Sequence, residues 1–99
     1  MKKIDDYVKK YILYYIKELD SKLESLISEE KLSSEEDAKK LLSFIELMCN
    51  QSALDMKDKK EVLGHPANTH EAEKAAMVIQ DFVEDCGFEY LIDDDLELE

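Results

Sequence analysis

Two histidines, His65 and His70, bracket the loop HPANTH beside Glu71, and together these side chains could bind a divalent metal. Their spacing fits no zinc pattern and neither cysteine lies near them in sequence, so both histidines are expected to face solvent. Asp93-Asp94-Asp95-Leu96-Glu97 offers oxygen ligands for calcium or magnesium. It lacks the glycine and the alternating ligand positions of an EF-hand loop and reads as a solvated charge run. There is no G-x-S-x-G, no H-E-x-x-H and no glycine-rich phosphate cradle. Carboxylates are so abundant that no single pair marks acid–base work. The expectation is a protein that is not an enzyme, with no catalytic residue, no cofactor and no metal.

The acids instead suggest binding. From Ala75 to Glu99 the chain carries nine acidic residues and no lysine, so −9 of the net −12 sits in the last quarter. Asp81, Glu84, Asp85, Glu89, Asp93, Asp94 and Asp95 are the candidate partner-binding residues of this segment. Asp81 and Asp85 stand at i and i+4, where like charges weaken a helix, and Glu84 and Asp85 crowd a helix end where negative charge opposes the dipole. The fold gains nothing from that placement, so a basic protein partner is the more natural reason for it. Tyr7 and Tyr14 join the candidate set, because tyrosine supplies large, rigid contact area at low entropic cost. All thirteen basic residues are lysine. The missing arginine forks and the net charge exclude nucleic acid as a partner.

The elements that must carry these residues follow from apolar spacing. In Asn68 to Cys86, the positions Ala72, Ala75, Ala76, Ile79, Phe82, Val83 and Cys86 recur every three or four residues, which predicts a core-facing helix. Asn68 can cap its start, with Glu71 as box partner, and Gly87 can close its end. Ile4 through Ile27 keep helical spacing and predict one long helix over about 5–28. Tyr7, Tyr11 and Tyr14 form a second line along it. Ser33 with Glu36, or Ser34 with Asp37, gives a capping signal for a second helix to about Asn50. It would bury Ala38, Leu41, Leu42, Ile45, Met48 and Cys49, with Phe44 and Leu47 off the stripe facing another helix or a partner. A third, short helix is predicted over Asp55–Leu63, capped by Asp55 and ended by Gly64-His65-Pro66. After Gly87, Phe88, Tyr90 and Ile92 alternate with Glu89, Leu91 and Asp93, which predicts an extended arm.

The expected fold is therefore all-α: a small antiparallel bundle of three long helices and one short helix, with an extended acidic C-terminal arm. Residues 1–92 would form the bundle domain and 93–99 an acidic tail that frays. With 99 residues, 44% apolar, one domain with a modest core is expected. The lysine-led start has an apolar run only from Tyr11 to Ile16 and no small-residue cleavage site, so no signal peptide is expected. No stretch is long enough to span a membrane, and Cys49 and Cys86 read as small buried hydrophobes. The expected setting is the cytoplasm of a bacterium, with no membrane partner.

Ser33 to His65, SSEEDAKKLLSFIELMCNQSALDMKDKKEVLGH, resembles the second-helix region of colicin-type nuclease immunity proteins. The likeness lies in Ser33-Ser34-Glu35-Glu36 running into an apolar-striped helix with acids, followed by a short third helix. It covers about a third of the chain. That family's third helix carries a D-x-Y-Y-P-like toxin-binding signature, whereas Asp55 to Leu63 has no tyrosine, so no binding residue is carried over. The resemblance implies a small acidic helical protein that holds a toxic nuclease inactive. With the charge distribution, it leads to the expectation of an inhibitor that neutralises a basic nucleic-acid-acting partner, either a toxin immunity protein or a phage-encoded antagonist of a defence enzyme. The alternative is a helical adaptor, chaperone or regulatory subunit that self-associates or binds a partner helix.

Overall fold

The computed structural model describes the backbone of residues 4–96 and side chains as far as Ile92. The order is α1 (Asp6–Leu19), a 3-10 turn (Ser21–Leu23), α2 (Glu24–Ser28), α3 (Glu35–Lys57), β1 (Glu61–Val62), β2 (His65–Pro66), α4 (Thr69–Val83), a π turn (Glu84–Phe88) and α5 (Glu89–Leu96). The class is all-α, with a two-stranded hairpin as the sole sheet among the described residues.

The predicted long first helix is broken. Asp20 takes an extended conformation (φ −158°, ψ 81°) and its carboxylate accepts from the Lys22 N–H, restarting the chain as the 3-10 turn and α2. Aspartate competes with helical hydrogen bonding in this way, which apolar spacing alone does not reveal. α2 then ends in a Schellman motif. Glu30 has φ +50°, its N–H donates to Ile27 O, and the Lys31 N–H reaches back to Leu26 O.

The predicted second and third helices also differ from expectation, because α3 runs unbroken for 23 residues. Its start is the Ser34 cap, whose hydroxyl accepts from the Asp37 N–H at 3.1 Å. Asp55 does not cap a new helix. It lies inside α3, 3% exposed, with its carboxylate turned into the core. The end is a second Schellman motif around Lys59 (φ +61°), with Lys60 N–H on Asp55 O at 2.9 Å. Residues expected to finish the third helix form the hairpin instead. Val62 pairs with His65 across the two-residue turn Leu63-Gly64. Both turn residues have positive φ, +54° and +83°, the type I′ geometry that matches strand twist. Leucine in that left-handed position costs on the order of 1–2 kcal/mol relative to glycine.

α4 keeps its predicted cap, with Asn68 Oδ1 accepting from the His70 N–H at 2.8 Å. It returns antiparallel along α3: the Ser52 hydroxyl donates to Asn68 O and Cys49 Sγ sits 4.0 Å from Ala72 O. α1 pairs with α3 in the same chain direction, Tyr11 meeting Ser52 and Tyr15 meeting Asp55. The core fills between them with Ile12, Ile16, Leu41, Phe44, Met48, Ile79 and Phe82, all buried. Phe44 thus faces the neighbouring helices, while Leu47 is exposed.

The expected extended arm is helical. Gly87 does adopt a left-handed conformation (φ +97°), yet the chain passes through it as a π turn into α5. The apolar residues Phe88, Leu91 and Ile92 stand at i, i+3 and i+4, and Ile92 is buried against the core. A lone strand would leave its backbone groups unpaired, whereas a helix satisfies them internally. α5 carries the chain past Ile92, where the tail was expected to begin, to Leu96. The end of that tail, 97–99, lies outside the described residues.

Candidate partner-binding surface

The acidic surface is built by the end of α4, the π turn and α5. Asp81, Glu84, Asp85 and Glu89 are all exposed. Asp93, Asp94 and Asp95 lie within α5, and their side chains fall outside the described ones. Because α3 and α4 run antiparallel, this segment meets the first turn of α3, itself acidic with Glu35, Glu36 and Asp37. The Tyr90 hydroxyl donates to Glu35 Oε1 at 3.1 Å and ties α5 to that turn. Like charges are thereby brought together at one end of the molecule.

Among the described residues, counter-ions do not balance that end. Among the described residues the ion pairs are Lys9–Glu30, Lys17–Glu24, Lys39–Glu35 and Lys60–Glu18, and none draws on Asp81, Glu84, Asp85 or Glu89. Lys39 to Glu35, at 3.3 Å and exposed, is the one that reaches the acidic end. Cys86 lies here too, and its thiol is pushed up by burial first and by Asp85 second.

Tyr7 and Tyr14 are not part of this surface. The Tyr7 hydroxyl donates to Glu71 Oε2 at 3.1 Å, and its ring meets that of His65 edge-on. Partial burial first and Glu71 second hold that hydroxyl above the ordinary tyrosine value. A cavity of about 300 Å³ opens beside the pair, lined in part by Tyr11, His70 and Lys74. Glu71, expected to complete the capping box, is drawn away to Tyr7. Tyr14 is half-buried against Tyr15, with the Lys60 ammonium 5.9 Å from its ring centre. α3 is about 35 Å long at 1.5 Å per residue, and Tyr14 sits at its Lys57 end while the acids sit at its Glu35 end. The expected line of three tyrosines is also split, because Tyr11 is buried and bonded to Ser52.

The cysteines have separate neighbours, Cys49 beside Ala72 on α4 and Cys86 near the backbone of Leu32. Burial first, then Glu73, raises the Cys49 thiol above its ordinary value. Among the described residues, no three His, Cys, Asp or Glu side chains are grouped to hold a metal ion. Likewise no helix among them is long and apolar enough to cross a membrane.

Of the exposed hydrophobics, apolar spacing singles out Leu47, which lies off the α3 stripe, but not the others. Leu47 and Leu54 stand seven residues apart on one face of α3, 50% and 55% exposed. Met77 on α4 is 66% exposed, and Leu63 projects from the hairpin turn. The sequence signal for that hairpin is weak, because only Gly64 of the Leu63-Gly64 turn is a residue type I′ geometry favours. No family model, curated protein or solved structure matches the chain.

Proposed function

We propose that the protein is an acidic inhibitor that neutralises a basic nucleic-acid-acting partner, as an immunity protein for a bacterial nuclease toxin or a phage-encoded antagonist of a defence enzyme. The observation that supports this most is the run of exposed, uncompensated acids Asp81, Glu84, Asp85 and Glu89 beside the acidic first turn of α3. Such a surface offers carboxylates where a nucleic acid would offer phosphates, and it steers a lysine- and arginine-lined cleft into contact. The work proposed for it is occlusion, with the acids setting orientation and association rate. The compartment proposed is the cytoplasm. The experiment is affinity capture from the organism that encodes the chain, at low and high salt, followed by a nuclease assay on the captured protein. A captured basic nuclease whose activity falls on adding the protein supports the reading. Capture that persists unchanged at high salt, with activity untouched, overturns it.

A second reading, a helical adaptor, chaperone or regulatory subunit, draws on the exposed Leu47 and Leu54 of α3. Those side chains suit a partner helix or a second copy, with the acids serving solubility. Light scattering distinguishes self-association from the monomer.

A further inference from the structure

At the opposite end of the molecule from the acids, a pocket of about 360 Å³ opens between α1 and the hairpin. Leu13, Tyr14 and Leu63 give it apolar walls, and Lys10 and Lys17 stand at it with Glu18. Lys60 adds a third ammonium over the Tyr14 ring. Lys60 is engaged by Tyr14 and Glu18, while the two lining lysines are held less closely. Lys17 is 4.0 Å from Glu24 and Lys60 is 3.8 Å from Glu18, both exposed, and Lys10 has no ion pair among the described residues. On a chain of net charge −12, two lysines at one apolar recess, with Lys60 over the ring of its Tyr14 wall, make a place where an anion is welcome.

Leu63 supplies the second observation. It occupies the left-handed first position of a type I′ turn, where asparagine, aspartate or glycine is favoured, and its side chain is 40% exposed. The fold gains neither an easy turn nor a buried side chain from leucine there. The leucine does complete the apolar wall of this pocket. Strain held at an exposed position, where the side chain lines a cavity, marks a site built for contact.

We propose that this pocket binds a small carboxylate carried on an apolar body, with Lys10 and Lys17 receiving the anion and Leu13, Tyr14 and Leu63 holding the hydrocarbon. Lys60, seated over Tyr14, adds to the attraction. Glu18, which also lines the pocket, disfavours a second negative charge, so a monoanion is preferred to a polyanion. The site is separate from the acidic surface and does not depend on what that surface binds.

The test uses 2-naphthoate as probe and 2-naphthylmethanol as its neutral match, followed by calorimetry and by the methyl and ring resonances of Leu13, Leu63 and Tyr14. The parent protein should bind naphthoate and shift those resonances, with the alcohol about tenfold weaker for want of the charge-assisted contacts. Leu63→Asn should melt at a higher temperature, because it relieves the turn, yet bind naphthoate at least several-fold more weakly. Lys10→Gln with Lys17→Gln should leave melting unmoved and weaken naphthoate toward the alcohol. No naphthoate binding by the parent, equal binding of the alcohol, or undiminished binding by Leu63→Asn would each overturn the proposal.

Discussion

Removing one oxygen atom from Tyr15 tests how α1 is fixed to α3. Tyr15 is fully buried, and its hydroxyl donates to Asp55 Oδ2 at 2.7 Å. The other carboxylate oxygen accepts from Gln51 Nε2 at 2.9 Å, and Asp55 is 3% exposed. Tyr15→Phe leaves Oδ2 buried without its donor, where water cannot replace it. Bonds to charged groups contribute about 1.5–3 kcal/mol, so the loss should be about 2 kcal/mol. For a domain of this size that lowers the melting temperature by about 8–16 °C. Tyr90→Phe removes a similar bond, to Glu35 at 3.1 Å on the surface, and should leave the melting temperature nearly unmoved. The pair also sets a pH signature. Burial first and the hydrogen bond to Asp55 second hold the Tyr15 hydroxyl far above its ordinary value of 10.0, so the folded state keeps a proton that the unfolded chain gives up. That stability is fully present below about pH 10 and is lost as the pH rises beyond it. Tyr15→Phe should therefore flatten the fall in chemical-denaturation stability above pH 10. Equal melting temperatures for parent and Tyr15→Phe, or an unchanged alkaline slope, would refute the Tyr15–Asp55 account.

Phe82 is buried on the α4 stripe, and Phe82→Ala should cost about 3–5 kcal/mol, enough to leave a marginal domain largely unfolded by circular dichroism. Lys59→Gly, at the left-handed position that closes α3, should stabilise by about 1 kcal/mol in urea titration. Glu30→Gly at the matching position after α2 should gain less, because it also removes the 2.9 Å ion pair with Lys9.

Two caps are legible in the sequence, because each is a local hydrogen bond between residues two or three apart. Ser34–Asp37 and Asn68–His70 both form where short polar side chains precede apolar periodicity. What escaped was decided over distance. Asp55 resembles a cap in isolation, and only the tyrosine of a helix 40 residues earlier makes it a core residue. Asp20 interrupts a periodic stripe that α1 and α2 both continue, so the break is invisible to spacing. The residues after Gly87 alternate with a period of two, although Phe88, Leu91 and Ile92 also satisfy three and four. Of the candidate site, the acids and their segregation were legible as composition. The meeting of α5 with the acidic start of α3 was not, since it depends on how α4 returns along α3. The displacement of Tyr7 and Tyr14 from the acids follows from α1 lying against the far half of α3, which no local pattern encodes.

The most direct test of the acidic-surface proposal is the association rate of the captured partner with the parent and with the variant Asp81→Asn, Glu84→Gln, Asp85→Asn, Glu89→Gln. If the surface steers a basic cleft, the variant associates about tenfold or more slowly at low salt, its rate scarcely changes with added salt, and its melting temperature is equal or higher. If the variant associates as fast as the parent at low salt, the acids are a solubilising coat and the inhibitor reading is wrong.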